Sequence, residues 1–200
     1  MACDEFVKTG RHYCLNCSPR YGSRSDYILA LPGSLRKNSS ATAVLEHIGS
    51  LMPANVNFTV FDGISQIPHF DDSDKVPWQV TEFRQLLAGA DGVLIVTPEY
   101  AFGVPGSLKN ALDWTVSSGE LVNMPMALVT ASTGGEKGHA AMLLILQALS
   151  ANIPSGASLL ISYVRSKLDE KNRVKDIPTL NSMQTLVDRF IHSIHEEETA

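Results

Sequence analysis

Three short stretches of this chain hold residues whose types and spacing suit chemistry. The first is "LPGSLRKNSS", Leu31 to Ser40, which packs a glycine, three serines, an arginine and a lysine into one turn. Backbone N–H groups, hydroxyls and fixed positive charge in one place are what a phosphate binds. The pattern is neither GxGxxG nor GxxxxGK[ST], which disfavours a dinucleotide-binding Rossmann site and an NTPase. A capped helix explains part of the same composition, because Asn38 or Ser39 would cap any helix that follows.

The second stretch is "TPEYAFGVPGSLKNALDW", Thr97 to Trp114. Pro98 stiffens its start, and Gly103, Pro105 and Gly106 form a turn where exposed backbone can meet a flat ligand. Tyr100 and Phe102 add aromatic surface. The third is "TASTGGEKGH", Thr130 to His139, whose small residues and paired glycines let backbone N–H groups approach a ring closely. Glu99 has the chemistry of a general base, yet a carboxylate at the start of a helical turn serves structure equally well. His139 reads as a loop or helix-start residue ahead of a substrate contact. No general base is nominated.

An alternation of strands and helices must position these stretches. "YILAL" (Tyr27–Leu31) reads as a strand, "NSSATAVLEHIGSLM" as a helix and "VNFTVFD" (Val56–Asp62) as a second strand. A helix is expected over Trp78–Ala88. "GVLIVTP" (Gly92–Pro98) is an unbroken apolar run of the kind that a sheet buried on both faces requires. Ser107–Val116 is helical, Pro125–Ser132 a strand, "GHAAMLLILQALSAN" a helix, Ala157–Val164 a fifth strand and "TLNSMQTLVDRFIHSIHEE" a closing helix. Met142, Ile145, Leu146 and Leu149 sit at helical spacing and read as core. Five strands alternating with five helices predict an α/β sandwich of three layers around a parallel sheet in the flavodoxin-like order 2-1-3-4-5. Ligands of such sheets bind at the carboxyl ends of the strands, where strand order reverses. The three stretches above follow strands one, three and four, so the topology gathers them.

Composition sets the outer bounds. The chain has 200 residues, 44% of them hydrophobic, and carries 16 Lys and Arg against 21 Asp and Glu, a net charge of −5. That suits one globular domain and argues against nucleic acid as the main partner. No apolar run approaches the roughly 18–20 residues of a membrane span, and the N-terminus has no long apolar core of a secretory signal. Cys3, Cys14 and Cys17 include a CxxC spacing, but a zinc site would need two further ligands and only His12 is near. Residues 1–24 therefore read as a disordered extension with reduced thiols, and residues 25–200 as the folded domain. The acidic loop Asp71–Asp74 reads as solvated, and no metal site is expected.

"GSLRKNS", followed about sixty residues later by "TPEYAFGVPGSLKNALDW", resembles the NAD(P)H-dependent FMN reductase family. That flavodoxin-like family includes quinone, azo-dye and chromate reductases. The resemblance implies FMN as cofactor, with NADPH or NADH as hydride donor. By position it implies that Ser34, Arg36, Ser39 and Ser40 hold the phosphate. It further implies that Pro98, Glu99, Tyr100 and Ala101 lie at the flavin's ring and polar edge, and that Ser132, Thr133, Gly134 and Gly135 line the other side. The family commonly carries asparagine after "PEY", where this chain has Ala101. The implied reaction passes hydride from nicotinamide to flavin and then to a small-molecule acceptor, a quinone, azo dye, flavin or metal oxyanion. A cytoplasmic homodimer or homotetramer is implied as well, with the helix bearing Trp114 at the subunit contact or buried within one subunit. Two alternatives stay open: a flavodoxin-type electron carrier, disfavoured by Arg36 and the modest charge, and a flavin-binding redox sensor.

Overall fold

The computed structural model describes residues 25–36, 38–73 and 75–196. Its elements are β1 (Tyr27–Pro32), α1 (Ser40–Leu51), β2 (Asn57–Val60), α2 (Trp78–Ala88), β3 (Gly92–Thr97), α3 (Gly106–Asp113), β4 (Met126–Ala131), α4 (Glu136–Ala148), β5 (Ser158–Ile161) and α5 (Ile177–Glu196). The strands form one five-stranded sheet in the order β2-β1-β3-β4-β5, and every pairing is parallel. The chain thus reverses its direction of winding between β1 and β3, as the alternating pattern predicts.

Period-2 alternation explains why the central strands are apolar throughout. Ile28, Ala30, Leu94, Val96, Ala127 and Val129 face one layer, which α1 and α5 cover. Leu29, Leu31, Val93, Ile95, Met126 and Leu128 face the other, which α2, α3 and α4 cover. Every residue of β3 and β4 is buried. A one-residue slip in register would exchange the two sets. Gly33 is required at the exit of β1: its N–H bonds Val96 O at 2.8 Å, and a Cβ there would stand 2.2 Å from Thr97 Oγ1.

Several boundaries differ from the sequence reading. Strand β2 is four residues long at the sheet edge, and the chain then forms a 3-10 turn at Gly63–Gln66. Strand β5 ends at Ile161, and Val164 belongs to a second 3-10 turn, Val164–Lys167. Helix α3 stops at Asp113 because side chains take over its end: Arg84 Nε donates to Trp114 O at 2.9 Å, and Trp114 Nε1 donates to Pro68 O at 2.9 Å. Trp114 is 2% exposed and packs edge-on against Phe70, so it is buried within the subunit. The three cysteines and the expected extension lie outside the described residues, as does Asp74. No helix among the described residues is long and apolar enough to cross a membrane.

Candidate functional site

The loop between β1 and α1 is held by its own hydroxyls. Ser39 caps α1, with its Oγ accepting from Thr42 N at 3.0 Å. The same oxygen lies 2.8 Å from Thr42 Oγ1, which donates to Arg36 O at 3.1 Å. With the Thr42 hydroxyl proton directed at Arg36 O, the Ser39 hydroxyl is placed to donate to Thr42. Ser39 thus ties the loop to α1, and the first-turn N–H groups of Ser40 and Ala41 have no partner among the described residues. Thr42, which sequence reasoning passed over, closes the loop. Ser34 is 7% exposed; its Oγ accepts from Arg36 N at 3.3 Å and lies 3.5 Å from Tyr100 Oη. The Arg36 guanidinium has no hydrogen-bond or ion-pair partner among the described residues.

After β3, Tyr100 and Gly103 exchange two backbone hydrogen bonds, 3.0 and 2.9 Å, around a two-residue turn. Its central residues, Ala101 and Phe102, have φ of 49° and 59°, both left-handed. Such a turn favours Asn or Gly at its first central position, which gives the asparagine common at that place in the resembling family a backbone reason. Lys137 Nζ stands 4.9 Å from the Phe102 ring centroid. One residue earlier in the same loop, Glu99 Oε2 accepts the Gly138 N–H at 2.6 Å. The carboxylate thus occupies the N-terminal turn of α4, where the helix dipole favours it. The glycine at 138 gives this bond close quarters: a Cβ there would stand 3.0 Å from Glu99 Cγ and 3.1 Å from Gly103 O. Glu99 latches the β3 loop to α4 through one of its two carboxylate oxygens.

The loop after β4 is braced from β5. Ser132 N donates to Ile161 O at 3.1 Å, Tyr163 N to Thr133 O at 2.9 Å and Val164 N to Ser132 O at 3.0 Å. Together the loops enclose an open cleft of about 400 Å³. Of the twelve residues the resemblance points to, Ser34, Arg36, Ser39, Ser40, Pro98, Glu99, Tyr100, Ser132 and Thr133 line it. Ala101, Gly134 and Gly135 do not. Ala101 is turned out at the loop tip, and Gly135 is buried as the left-handed residue that starts α4. The cleft has a further wall that sequence reasoning missed: Val164, Arg165, Leu168, Asp169 and Asn172, from the segment after β5. Its only signal in the sequence was its position past the carboxyl end of a strand.

His139 points away from the cleft. Its Nδ1 lies 2.8 Å from Thr130 Oγ1 and its Nε2 3.0 Å from Ser158 Oγ, so it bridges β4 and β5 beneath α4. Burial lowers its pKa below the ordinary histidine value. Asp71 is exposed and turned toward its own loop, accepting from Ser73 N at 3.1 Å.

Comparison with known proteins decides the family. The family model described as NADPH-dependent FMN reductase matches residues 27–165. The chain belongs to that family. A quinone reductase of Escherichia coli (strain K12) is 31% identical over 166 residues, covering 78% of this chain and 88% of the relative. A 2-hydroxy-1,4-benzoquinone reductase of a Burkholderia species is 32% identical over 173 residues, 82% of this chain and 93% of that one. Among solved structures, the flavoenzyme NAD(P)H:(acceptor) oxidoreductase FerB of Paracoccus denitrificans superposes with a TM-score of 0.76 at 24% identity, covering 86% of this chain and 98% of its own. The cofactors of the FMN reductase family are FMN and NAD(P)H. The donor set fits FMN: a guanidinium and helix-start N–H groups without partners among the described residues, and a small-residue wall. The volume lies within the roughly 300–1,000 Å³ usual for cofactor and ligand sites.

Proposed function

We propose that this protein is an FMN-dependent oxidoreductase that takes hydride from NAD(P)H and reduces quinones or flavins. The observation that carries the reading is the meeting of the Arg36 loop, the Pro98–Tyr100 loop and the Ser132–Thr133 loop around one open cleft. The names of the relatives support the acceptor class, since two of them are quinone reductases. Azo dyes and metal oxyanions are further acceptors in this reading.

FMN, when bound, supplies the hydride chemistry, and the protein supplies position and electrostatics. Arg36 and the N–H groups of Ser40 and Ala41 bind the phosphate. Ser39 and Thr42 keep those groups aimed by tying up the loop. Pro98 and the Glu99–Gly138 bond fix one wall against which a flat ring rests, and Ser132 and Thr133 form the facing wall. Thr133, on the cleft wall, offers an N–H group that has no backbone partner among the described residues. Aimed at the polar edge of the ring, such a donor would favour its anionic reduced form. The open mouth of the cleft allows donor and acceptor to use the same space in turn. A cytoplasmic location and a homodimer or homotetramer belong to the same reading, with the exposed Val116, Val122 and Leu144 as a candidate contact surface.

The test is an absorption spectrum of the purified protein, then anaerobic addition of NADPH or NADH, then 1,4-benzoquinone. Flavin bands that bleach and return on adding quinone are expected. A flavin that neither nucleotide reduces would return the protein to the electron-carrier or sensor readings. Failure to retain added FMN would remove the reading altogether.

A further inference from the structure

We infer that Arg165, on the turn after β5, is a second cation for the phosphate of the bound flavin, acting with Arg36. The inference rests on the reading of the cleft as an FMN site and adds a residue from an element that this reading does not use.

Placement is the first support. Arg165 lines the same cleft as Arg36, Ser39 and Ala41. Its turn is not loosely hung there. Val164 and Leu168, which flank Arg165 within the turn and just after it, are 3% and 8% exposed and belong to the same apolar cluster as Ala41 and Val44 of α1. The turn therefore sits on the α1 side of the sheet, and the bonds from Tyr163 and Val164 to the Ser132–Thr133 carbonyls fix where it begins.

Charge is the second. Two carboxylates line the cleft, and both are committed elsewhere. Glu99 accepts the Gly138 N–H. Asp169 accepts from Lys171 N at 2.9 Å and Arg173 N at 2.8 Å, and pairs with the Arg173 guanidinium at 2.8 Å. Those bonds hold the Asp169 carboxyl below its ordinary pKa, with the Arg173 backbone bond the largest cause. Asp169 has its charge paired with Arg173, neither acid is bonded to Arg165, and the Arg165 guanidinium has no hydrogen-bond or ion-pair partner among the described residues. Two guanidinium groups without a partner among the described residues line one cleft of a chain of net charge −5, which suits that cleft to an anion.

The anion's charge fits. A phosphate monoester carries about −1.5 to −2 at neutral pH. The start of α1 presents roughly +0.5 and Arg36 contributes +1, leaving the dianion under-compensated. Arg165 supplies more than the half charge that a full dianion then lacks, and its planar fork suits paired bonds to phosphate oxygens.

The experiment titrates FMN and riboflavin, which differ only in the phosphate, into the full-length protein freed of flavin, following flavin fluorescence. Arg165→Gln should weaken FMN about tenfold or more while leaving riboflavin unchanged. It should also flatten the salt dependence of FMN binding, and Arg165→Lys should recover part of the loss. Lys167→Gln is the control for general charge, because Lys167 pairs with Asp176 at 3.2 Å and should move neither ligand. Thermal unfolding of Arg165→Gln should match the parent, since the side chain is exposed. Equal shifts for FMN and riboflavin, or no shift for either, would overturn the inference. So would a variant that binds FMN normally but loses NADPH and keeps NADH, which would assign Arg165 to the nucleotide's 2′-phosphate. If Arg36→Gln also fails to separate FMN from riboflavin, the phosphate cradle itself is wrong, a failure distinct from that of Arg165.

Discussion

Glu99 provides the sharpest contrast between a structural and a catalytic reading. Its carboxylate oxygen accepts one N–H, that of Gly138, at 2.6 Å, in the first turn of a 13-residue helix. Glu99→Ala removes a hydrogen bond to a charged group, a contribution of about 1.5–3 kcal/mol, and leaves the donor part-buried. Favourable interaction of the carboxylate with the helix start, about 0.3–1 kcal/mol, is lost with it and overlaps that figure. A net loss of about 2 kcal/mol follows, which lowers Tm by about 4–8 °C in a domain of this size. Glu99→Gln keeps an acceptor oxygen but no charge and should lose about half as much. FMN affinity should fall in the same order, because the β3 loop loses its tie to α4, while the turnover of FMN-saturated protein should change less than about tenfold. Urea unfolding, FMN titration and NADPH:quinone assays on the three proteins read these quantities. Unchanged stability together with a Glu99→Gln turnover reduced a hundredfold or more would refute the latch and make Glu99 a catalytic residue.

Three further outcomes follow from particular contacts. Gly138→Ala should destabilise by about 1–3 kcal/mol in urea, against the roughly 1 kcal/mol gain that alanine brings to an open helix site, because the new methyl meets Glu99 and Gly103 O. Net stabilisation would show that the helix start has room. Ala101→Asn should raise stability by about 0.5–1 kcal/mol, since an L-residue without a polar side chain is disfavoured at φ 49°; a lower Tm by calorimetry would contradict the left-handed turn. Stability should fall as pH drops through about 6.5, where the unfolded chain protonates histidine but the folded chain holds His139 neutral through burial. Replacing His139 by Gln should flatten that part of the pH–stability curve, and an unaltered slope would assign the effect to another group.

Much of this molecule was legible without coordinates because its signals are local. Apolar runs of strand length, helical spacing and turn residues each occupy a few positions. Parallel order then follows from their alternation, and the order 2-1-3-4-5 follows from the few right-handed connections available. Helix α2 is found at the residues expected, and the three loops meet as expected at the carboxyl ends of β1, β3 and β4. The chemistry of individual side chains was not legible in the same way. The Ser39 hydroxyl reads as a phosphate donor, and its bonds to Thr42 appear only in the structure. Trp114 reads equally as contact or core until Pro68 and Phe70 enclose it.

What the sequence alone determined is the sheet, its two apolar faces and the composition of the loops at one edge, since hydrophobic periodicity and backbone preference act over short range. Only the tertiary structure decided that Glu99 bonds the first turn of a helix that begins 37 residues later and that Arg165 lines the same cleft as Arg36. Those partners lie far apart along the chain, and nothing in the local composition of either marks the other. Packing of the turn after β5 against the α1 side of the sheet brings them together, and no pattern within a single stretch of sequence encodes that.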